Sequence, residues 1–139
     1  MKEAVIESLK LRFKSCDDIV AMSDDKTLVD KLDVARHKSL AEHLWCVIGA
    51  RESYAKAIAE GAWSGFNCSV QDYSKAAFVE KARSSANEVT AAIDSVQDWT
   101  ADREGFLLAL AEHEVMHEGQ IIRHLYAFER EIPETVKWA

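Results

Sequence analysis

Two histidines in this sequence lie four residues apart, a spacing that would allow both to bind the same metal ion. His113 and His117 stand in the segment 110–120, which contains no proline and a single glycine. In an α-helix, residues four apart lie one turn above each other on the same face. A helix that holds two imidazoles in this register can chelate one ion with little further ordering. The spacing predicts a metal site, with two partnered structural histidines as the alternative, since short motifs occur by chance.

Glu114 extends the pair to the pattern His-Glu-x-x-His, which zinc peptidases use for two ligands and a general base. A peptidase is therefore one hypothesis, and it requires the Glu114 carboxylate to lie near the metal. We expect no strands in this chain, however, and such peptidases bind the substrate backbone along a sheet edge. The motif alone does not decide between a peptidase and another metal protein.

The helix face that carries the two histidines continues through Gln120 and His124, and Leu110 and Leu125 flank it. This apolar flanking predicts that the face points inward. His124 lies about 10 Å further along the helix axis than His117, at 1.5 Å per residue. We therefore expect His124 to be a core or rim histidine that does not share the ion.

The pattern of apolar residues predicts four long helices around a single hydrophobic core. In the first segment the apolar positions recur at intervals of four, three and four residues, at Leu9, Phe13, Cys16 and Val20. Ser39 and Glu42 match a capping box, and Thr100 can cap the last helix. The expected helices are 2–22, 40–60, 74–97 and a last one from Thr100 to about residue 130, with a polar connection at 23–38 and a packed loop at 61–73. Together they predict an all-α, four-helix bundle.

Composition narrows the class of protein. The 139 residues are expected to form one domain (1–139), and one proline and five glycines favour long helices. The formal net charge of −7 and scattered basic residues argue against nucleic-acid binding. No apolar run approaches the roughly 20 residues that span a membrane, and the N-terminus lacks the apolar core of a signal peptide. We therefore expect a cytoplasmic protein with reduced thiols at its three cysteines.

Two segments together resemble the DinB/YfiT-like superfamily. The segment 113–120 has the pattern His-x-x-x-His-x-Gly-Gln, which that family carries on the last helix of a four-helix bundle, and 39–46 with 49–52 resembles its second-helix motif. The resemblance implies a bundle in which His113 and His117 bind a divalent metal ion, with zinc preferred over nickel or iron. It covers nearly the whole chain in layout, while its specific residues are confined to these two helices.

Family members generally take a third histidine ligand from the second helix, where this chain has Cys46 at the corresponding position. Three interpretations stay open. Cys46 supplies a thiolate, giving a two-histidine, one-cysteine site suited to zinc. His43, one turn earlier, supplies the third nitrogen. Or the third ligand is lost and metal is no longer held tightly.

The resemblance implies a metal-dependent thiol transferase or hydrolase that acts on a small-molecule or thiol substrate. The alternative is a non-catalytic, stress-related binding or interaction bundle with a degenerate metal site. Further candidates for substrate contacts are Arg51, Glu52, Tyr54, Gln120 and Cys68, each of which has a structural role as its ordinary alternative. The aromatic residues near segment ends mark a candidate homodimer surface: Trp63, Phe66, Trp99 and Trp138.

Overall fold

The computed structural model describes residues 1–137 and shows a chain built from α-helices. Five helices follow one another, and their bounds are Lys2–Met22 (α1), Asp25–Val29 (α2), Leu40–Glu60 (α3), Lys75–Ser95 (α4) and Ala101–Ala127 (α5). A single 3-10 turn, Glu134–Val136, follows α5. Residues 1–137 contain no strand, which confirms the all-α class that the sequence predicts.

Each of the four long helices packs against two of the others. α3 contacts α4 and α5, and α1 contacts the same two helices. Two clusters of buried apolar side chains lie between them, one around Leu44 and Phe78 and the other around Leu9 and Leu107. All four long helices contribute to both clusters, so hydrophobic burial is the main force that holds the helices together.

Local capping sets where the long helices begin. The Ser39 side chain accepts a hydrogen bond from the backbone N–H of Glu42, whose carboxylate accepts one in return from the Ser39 N–H. Ser74 and Thr100 accept the corresponding bonds at the starts of α4 and α5. These hydroxyls satisfy amides that have no partner within the helix, so the predicted capping box and the Thr100 cap are both confirmed.

α5 ends three residues earlier than expected, and not because of Pro133. The backbone N–H of Arg130 donates to the carbonyl of Leu125 at 2.9 Å, and that of Glu129 donates to Tyr126 at 3.0 Å. Glu129 has φ 53°, in the left-handed region. These two bonds and the left-handed residue form a Schellman motif, which here uses glutamate where glycine is usual. The helix is therefore closed by its own backbone.

The loop between α3 and α4 lies directly on α3. An ideal Cβ atom on Gly49 would come within 2.3 Å of Phe66 Cζ and 2.8 Å of Cys68 Cβ. The Ser53 hydroxyl accepts a hydrogen bond from the backbone N–H of Asn67 at 2.9 Å. The loop is packed as predicted, and the absence of a side chain at Gly49 permits the close approach.

The candidate dimer surface is scattered in this structure. Trp63 and Phe66 are nearly half exposed on the α3–α4 loop. Trp99 precedes α5 and lies under the ammonium group of Lys2, 4.7 Å from its ring. Trp138 falls outside the described residues. Among residues 1–137, no helix combines the length and the apolar character that crossing a lipid bilayer requires.

Candidate metal centre

The two histidines of α5 lie on successive turns with their rings in contact. The ring centroids of His113 and His117 are 4.4 Å apart. His117 is 4% exposed, while His113 is half-buried. Leu110 and Leu125 on the same helix are buried in the core, as predicted. The helix thus holds both imidazoles on one face, in the register that their spacing predicts.

His43 on α3 reaches the same place from the facing helix. Its Nδ1 atom lies 3.1 Å from Nδ1 of His117, and the two rings meet edge to face with centroids 5.3 Å apart. The capping box at Ser39 fixes the start of α3, so His43 occupies the fourth helical residue and points towards α5. Three imidazoles from two helices therefore lie side by side in the bundle, with His117 in contact with both of the others.

The donor atoms fit a two-imidazole metal site with a third donor beside it. Two nitrogens on one tetrahedral zinc ion lie about 3.3 Å apart, because each zinc–nitrogen bond is about 2.0–2.1 Å. The His43–His117 separation of 3.1 Å is close to that value. Nδ1 of His113 is buried and has no hydrogen-bond partner. Yet nowhere in residues 1–137 do three His, Cys, Asp or Glu side chains already surround a common point.

Burial keeps all three imidazoles neutral. Burial lowers the pKa of His117 to about 3, and repulsion from His113 and His43 acts in the same direction. For His43, burial followed by the charge of Lys38 lowers the pKa to about 4. Burial also lowers the pKa of His113. A neutral imidazole is the form that binds metal ions, so metal binding at these nitrogens would require no prior loss of protons.

Cys46, the other candidate for the third ligand, is in contact with Lys38. Its sulfur lies 3.2 Å from the Nζ atom of Lys38, and its side chain is half-buried. His43 has the contact with His117 that Cys46 lacks among the described residues. Between the two second-helix candidates, the geometry therefore favours His43.

A second histidine pair lies beside the first. Nε2 of His37 is 3.0 Å from Nδ1 of His124, and the two rings are stacked at 5.2 Å. His124 is buried, as the sequence predicted for a core or rim residue. His37 was missed because it falls in the polar connection before α3, where no periodic pattern marks which residues turn inward. His37 and His43, from the segment before α3 and from its first turn, thus lie against His124 and His117 of α5.

An open cavity of about 780 Å³ lies beside both histidine pairs. Its wall includes His43 and His117 as well as His37 and His124. Other lining residues include Met116, Gly119 and Gln120 on α5 and three cations, Arg36, Lys38 and Arg123. The volume lies in the range of small-molecule sites in proteins. Gln120 is exposed rather than directed inward, because this part of α5 borders the cavity instead of the core. A small ligand in the cavity would have direct access to His117.

Glu114 forms a buried ion pair with Arg51. Its two carboxylate oxygens accept hydrogen bonds from Nε and Nη2 of Arg51 at 2.6 and 2.9 Å. Both side chains are buried, and the guanidinium also stacks 4.6 Å from the ring of Phe13. Both carboxylate oxygens are thus held by an arginine, an arrangement that does not favour the role of general base that the peptidase hypothesis gives to Glu114.

The remaining candidates for substrate contacts have structural partners. Glu52 accepts a hydrogen bond from the backbone N–H of Ser69 at 2.8 Å, which fixes the α3–α4 loop. Tyr54 packs on Trp63, and Cys68 lies against the backbone of Trp45. None of these three lines the cavity beside His117, whereas Gln120 does.

Comparison with known proteins adds no assignment. The chain matches no protein-family model and no curated protein sequence. Membership of the DinB/YfiT-like superfamily accordingly stays a prediction from the two motifs.

Proposed function

We propose that this chain is a metal-binding four-helix bundle of the DinB/YfiT-like type, with His43, His113 and His117 as ligands of one divalent ion, preferably zinc. The observation that carries the proposal is the contact between His43 and His117, 3.1 Å apart from facing helices, with the His113 ring beside them. The arrangement of four long helices, each against two others, supports the bundle assignment. Neutral nitrogen donors suit zinc, nickel and iron, and zinc most often takes three protein ligands in catalytic sites.

The activity that fits this site best is a transferase or hydrolase reaction on a small-molecule or thiol substrate. Zinc bound there would supply a Lewis acid that activates a water molecule or a thiol. The protein itself supplies a cavity of about 780 Å³ beside His117, large enough for a small molecule and its attacking group. His43 and His117 are buried in the wall of this cavity, so a substrate bound there would lie next to the ion.

A non-catalytic binding bundle is the second candidate, and one observation favours it. The His43 and His117 nitrogens are already at hydrogen-bond distance, so these two buried imidazoles can satisfy each other without an ion. No third donor completes the set in the described part of the chain. In this alternative the histidines stabilise the fold and the cavity serves recognition alone.

Metal content of purified, untagged protein tests the proposal. We expect near-stoichiometric zinc in the wild type, and loss of most of it in His117→Ala and His43→Ala. Cys46→Ala should keep its metal because that sulfur faces Lys38. His124→Gln, a buried histidine of the same helix outside the ligand set, is the matched control. Circular dichroism of each variant separates loss of metal from loss of fold.

Each outcome has a defined meaning. Loss of zinc in Cys46→Ala with retention in His43→Ala would make the cysteine the third ligand. A wild-type protein that stays empty after incubation with zinc, nickel and iron would remove the metal site, and the non-catalytic bundle would then stand.

A further inference from the structure

The cavity beside the histidines is lined by positive charge with no carboxylate. Arg36 and Lys38 come from the connection between α2 and α3, and Arg123 comes from α5. The other lining side chains are histidines, apolar residues and Gln120, so no aspartate or glutamate is among them. Three full positive charges therefore face one concave space.

These three cations differ from those basic residues of the chain that have an acidic partner. Elsewhere the cations are commonly matched by acids, as in Lys14–Asp18, Lys26–Asp30 and Lys31–Glu42. Within residues 1–137, no carboxylate forms an ion pair with Arg36, Lys38 or Arg123. The whole chain carries 24 acidic and 17 basic residues. Acids are thus in excess on the molecule yet absent from this cavity.

We propose that the cavity binds a small molecule with a multiply charged oxyanion, either a dicarboxylate or a phosphate ester, through Arg36, Lys38 and Arg123. Guanidinium groups bind carboxylate and phosphate in a bidentate manner, and a concave site concentrates their field. The proposal names the substrate class of the proposed metal-dependent function. It rests on that function only in treating the bound ligand as a substrate. Binding of the anion itself requires the cations and not the metal.

The position of the cations determines which end of a bound ligand faces the histidines. Lys38 lines this cavity, and its Nζ atom lies 3.2 Å from the sulfur of Cys46, about one helical turn beyond His43 on α3. The same cavity has His43 and His117 in its wall. An anionic group held at the cations therefore leaves the rest of the molecule next to the imidazoles. The cations would select the substrate class, and the histidine side would act on its other end.

Titration with defined probes tests the proposal. Succinate and inorganic phosphate are titrated by calorimetry at low ionic strength into metal-free and zinc-loaded protein. Succinamide, the uncharged counterpart of succinate, is the control ligand. We expect both anions to bind metal-free protein at a single site, succinamide not to bind, and added salt to weaken the binding. The tighter of the two anions identifies the oxyanion class.

Variants locate the site. Arg36→Gln and Arg123→Gln should each weaken anion binding by roughly tenfold, the value of one charge-assisted hydrogen bond. Arg83→Gln on α4 removes an exposed arginine that does not line the cavity, so it should bind like the wild type. Arg36 and Arg123 are both exposed, so neither substitution should disturb folding.

The outcomes distinguish this proposal from the metal function. Anion binding that depends on Arg36 and Arg123 in a protein that takes up no zinc would support the cationic site and remove the metal site. Binding that appears only with zinc and is unchanged in both arginine variants would overturn the cationic site. Equal binding of succinate and succinamide, or equal weakening by Arg83→Gln, would also overturn it.

Discussion

At the scale of residues, the buried Arg51–Glu114 pair has the clearest energetic consequence. Glu114→Gln would leave the Arg51 guanidinium, 0% exposed, without a countercharge. Removing one partner of a buried ion pair typically costs about 3–5 kcal/mol, because the other charge stays desolvated. We expect a loss of that order in the free energy of unfolding, measured by urea denaturation.

The matched control is Glu112→Gln on the exposed side of the same helix, which should change stability by less than about 0.5 kcal/mol. The double variant Arg51→Met with Glu114→Leu should recover much of the loss, since it removes both charges together. If Glu114→Gln cost no more than Glu112→Gln, the pair would have no structural role.

Sequence alone predicted part of the site at this scale. The i, i+4 spacing was enough to bring His113 and His117 together, because helix geometry is local. His43 was one of two open candidates, since the choice between it and Cys46 depends on how α3 is rotated against α5. The ion pair between Glu114 and Arg51 is not predictable from the sequence, because the two residues are 63 positions apart and no local pattern marks the pairing.

At the scale of elements, the contact between α3 and its following loop depends on Gly49. Gly49→Ala would place a methyl group within van der Waals overlap of Phe66 and Cys68. Phe66 can swing away, but the Cβ atom of Cys68 moves only with the loop backbone. We expect a loss of about 1–3 kcal/mol in stability, and faster cleavage of residues 61–74 in limited proteolysis.

Gly105→Ala is the control for Gly49, because nothing lies within 4 Å of a Cβ atom added there. A helical glycine with open space around it should gain about 0.5–1 kcal/mol on substitution by alanine. Equal stabilisation by both substitutions would show that the loop does not press on α3.

The end of α5 offers an opportunity for stabilisation. Glu129 holds a left-handed conformation at φ 53°, which costs an L-residue roughly 1–2 kcal/mol relative to glycine. Glu129→Gly should raise stability by about 0.5–1 kcal/mol after the greater freedom of glycine in the unfolded chain is subtracted. Thermal unfolding would measure the gain. Glu131→Gly, two residues on and without a positive φ, should give no gain.

Helix beginnings were easier to predict than helix ends. Ser39 and Thr100 are recognisable caps, because the hydroxyl and the amide that it accepts from are three residues apart. The end of α5 carries no glycine, so its Schellman motif has no signature in the sequence. The sequence therefore predicts a longer helix than the structure has. The single short helix α2 lies within the segment 23–38, which the sequence predicts as a polar connection.

At the scale of the whole molecule, the gathered histidines make stability depend on pH. Burial lowers the pKa of His124, with His37 acting in the same direction and Asp30 opposing it. The unfolded chain, with a histidine pKa near 6.5, therefore binds more protons than the folded chain in mild acid. The stabilisation that comes from neutral, buried His124 is fully present above about pH 6.5. It is lost as the pH falls through that value towards the lowered pKa of His124.

We expect His124→Gln to reduce the acid dependence of the metal-free protein. Urea denaturation across roughly pH 5 to 8 would give the free energy of unfolding at each pH for both proteins. The variant should show a shallower decline below about pH 6.5. Parallel curves for wild type and variant would mean that His124 is protonated equally well in the folded state, against the effect of its burial.

The net charge follows directly from the sequence, but the distribution of charge over the folded protein does not. The net charge of −7 argued only against polyanionic partners such as nucleic acids. The cationic cavity combines Arg36 and Lys38 from the connection before α3 with Arg123 from α5. Only the folding of the α2–α3 connection against α5 brings these charges together, and that contact is tertiary.

The Arg51–Glu114 pair also restricts the route by which this chain can change during evolution. Either residue replaced first produces an intermediate with a lone charge in the core, whereas the pair replaced together by apolar residues does not. The two positions are therefore epistatic, and their substitutions should appear together among descendants. A lineage could pass through the destabilised single-substitution intermediate only if other mutations had already made the protein more stable. The order of such unrelated stabilising mutations would therefore decide when the pair can be lost.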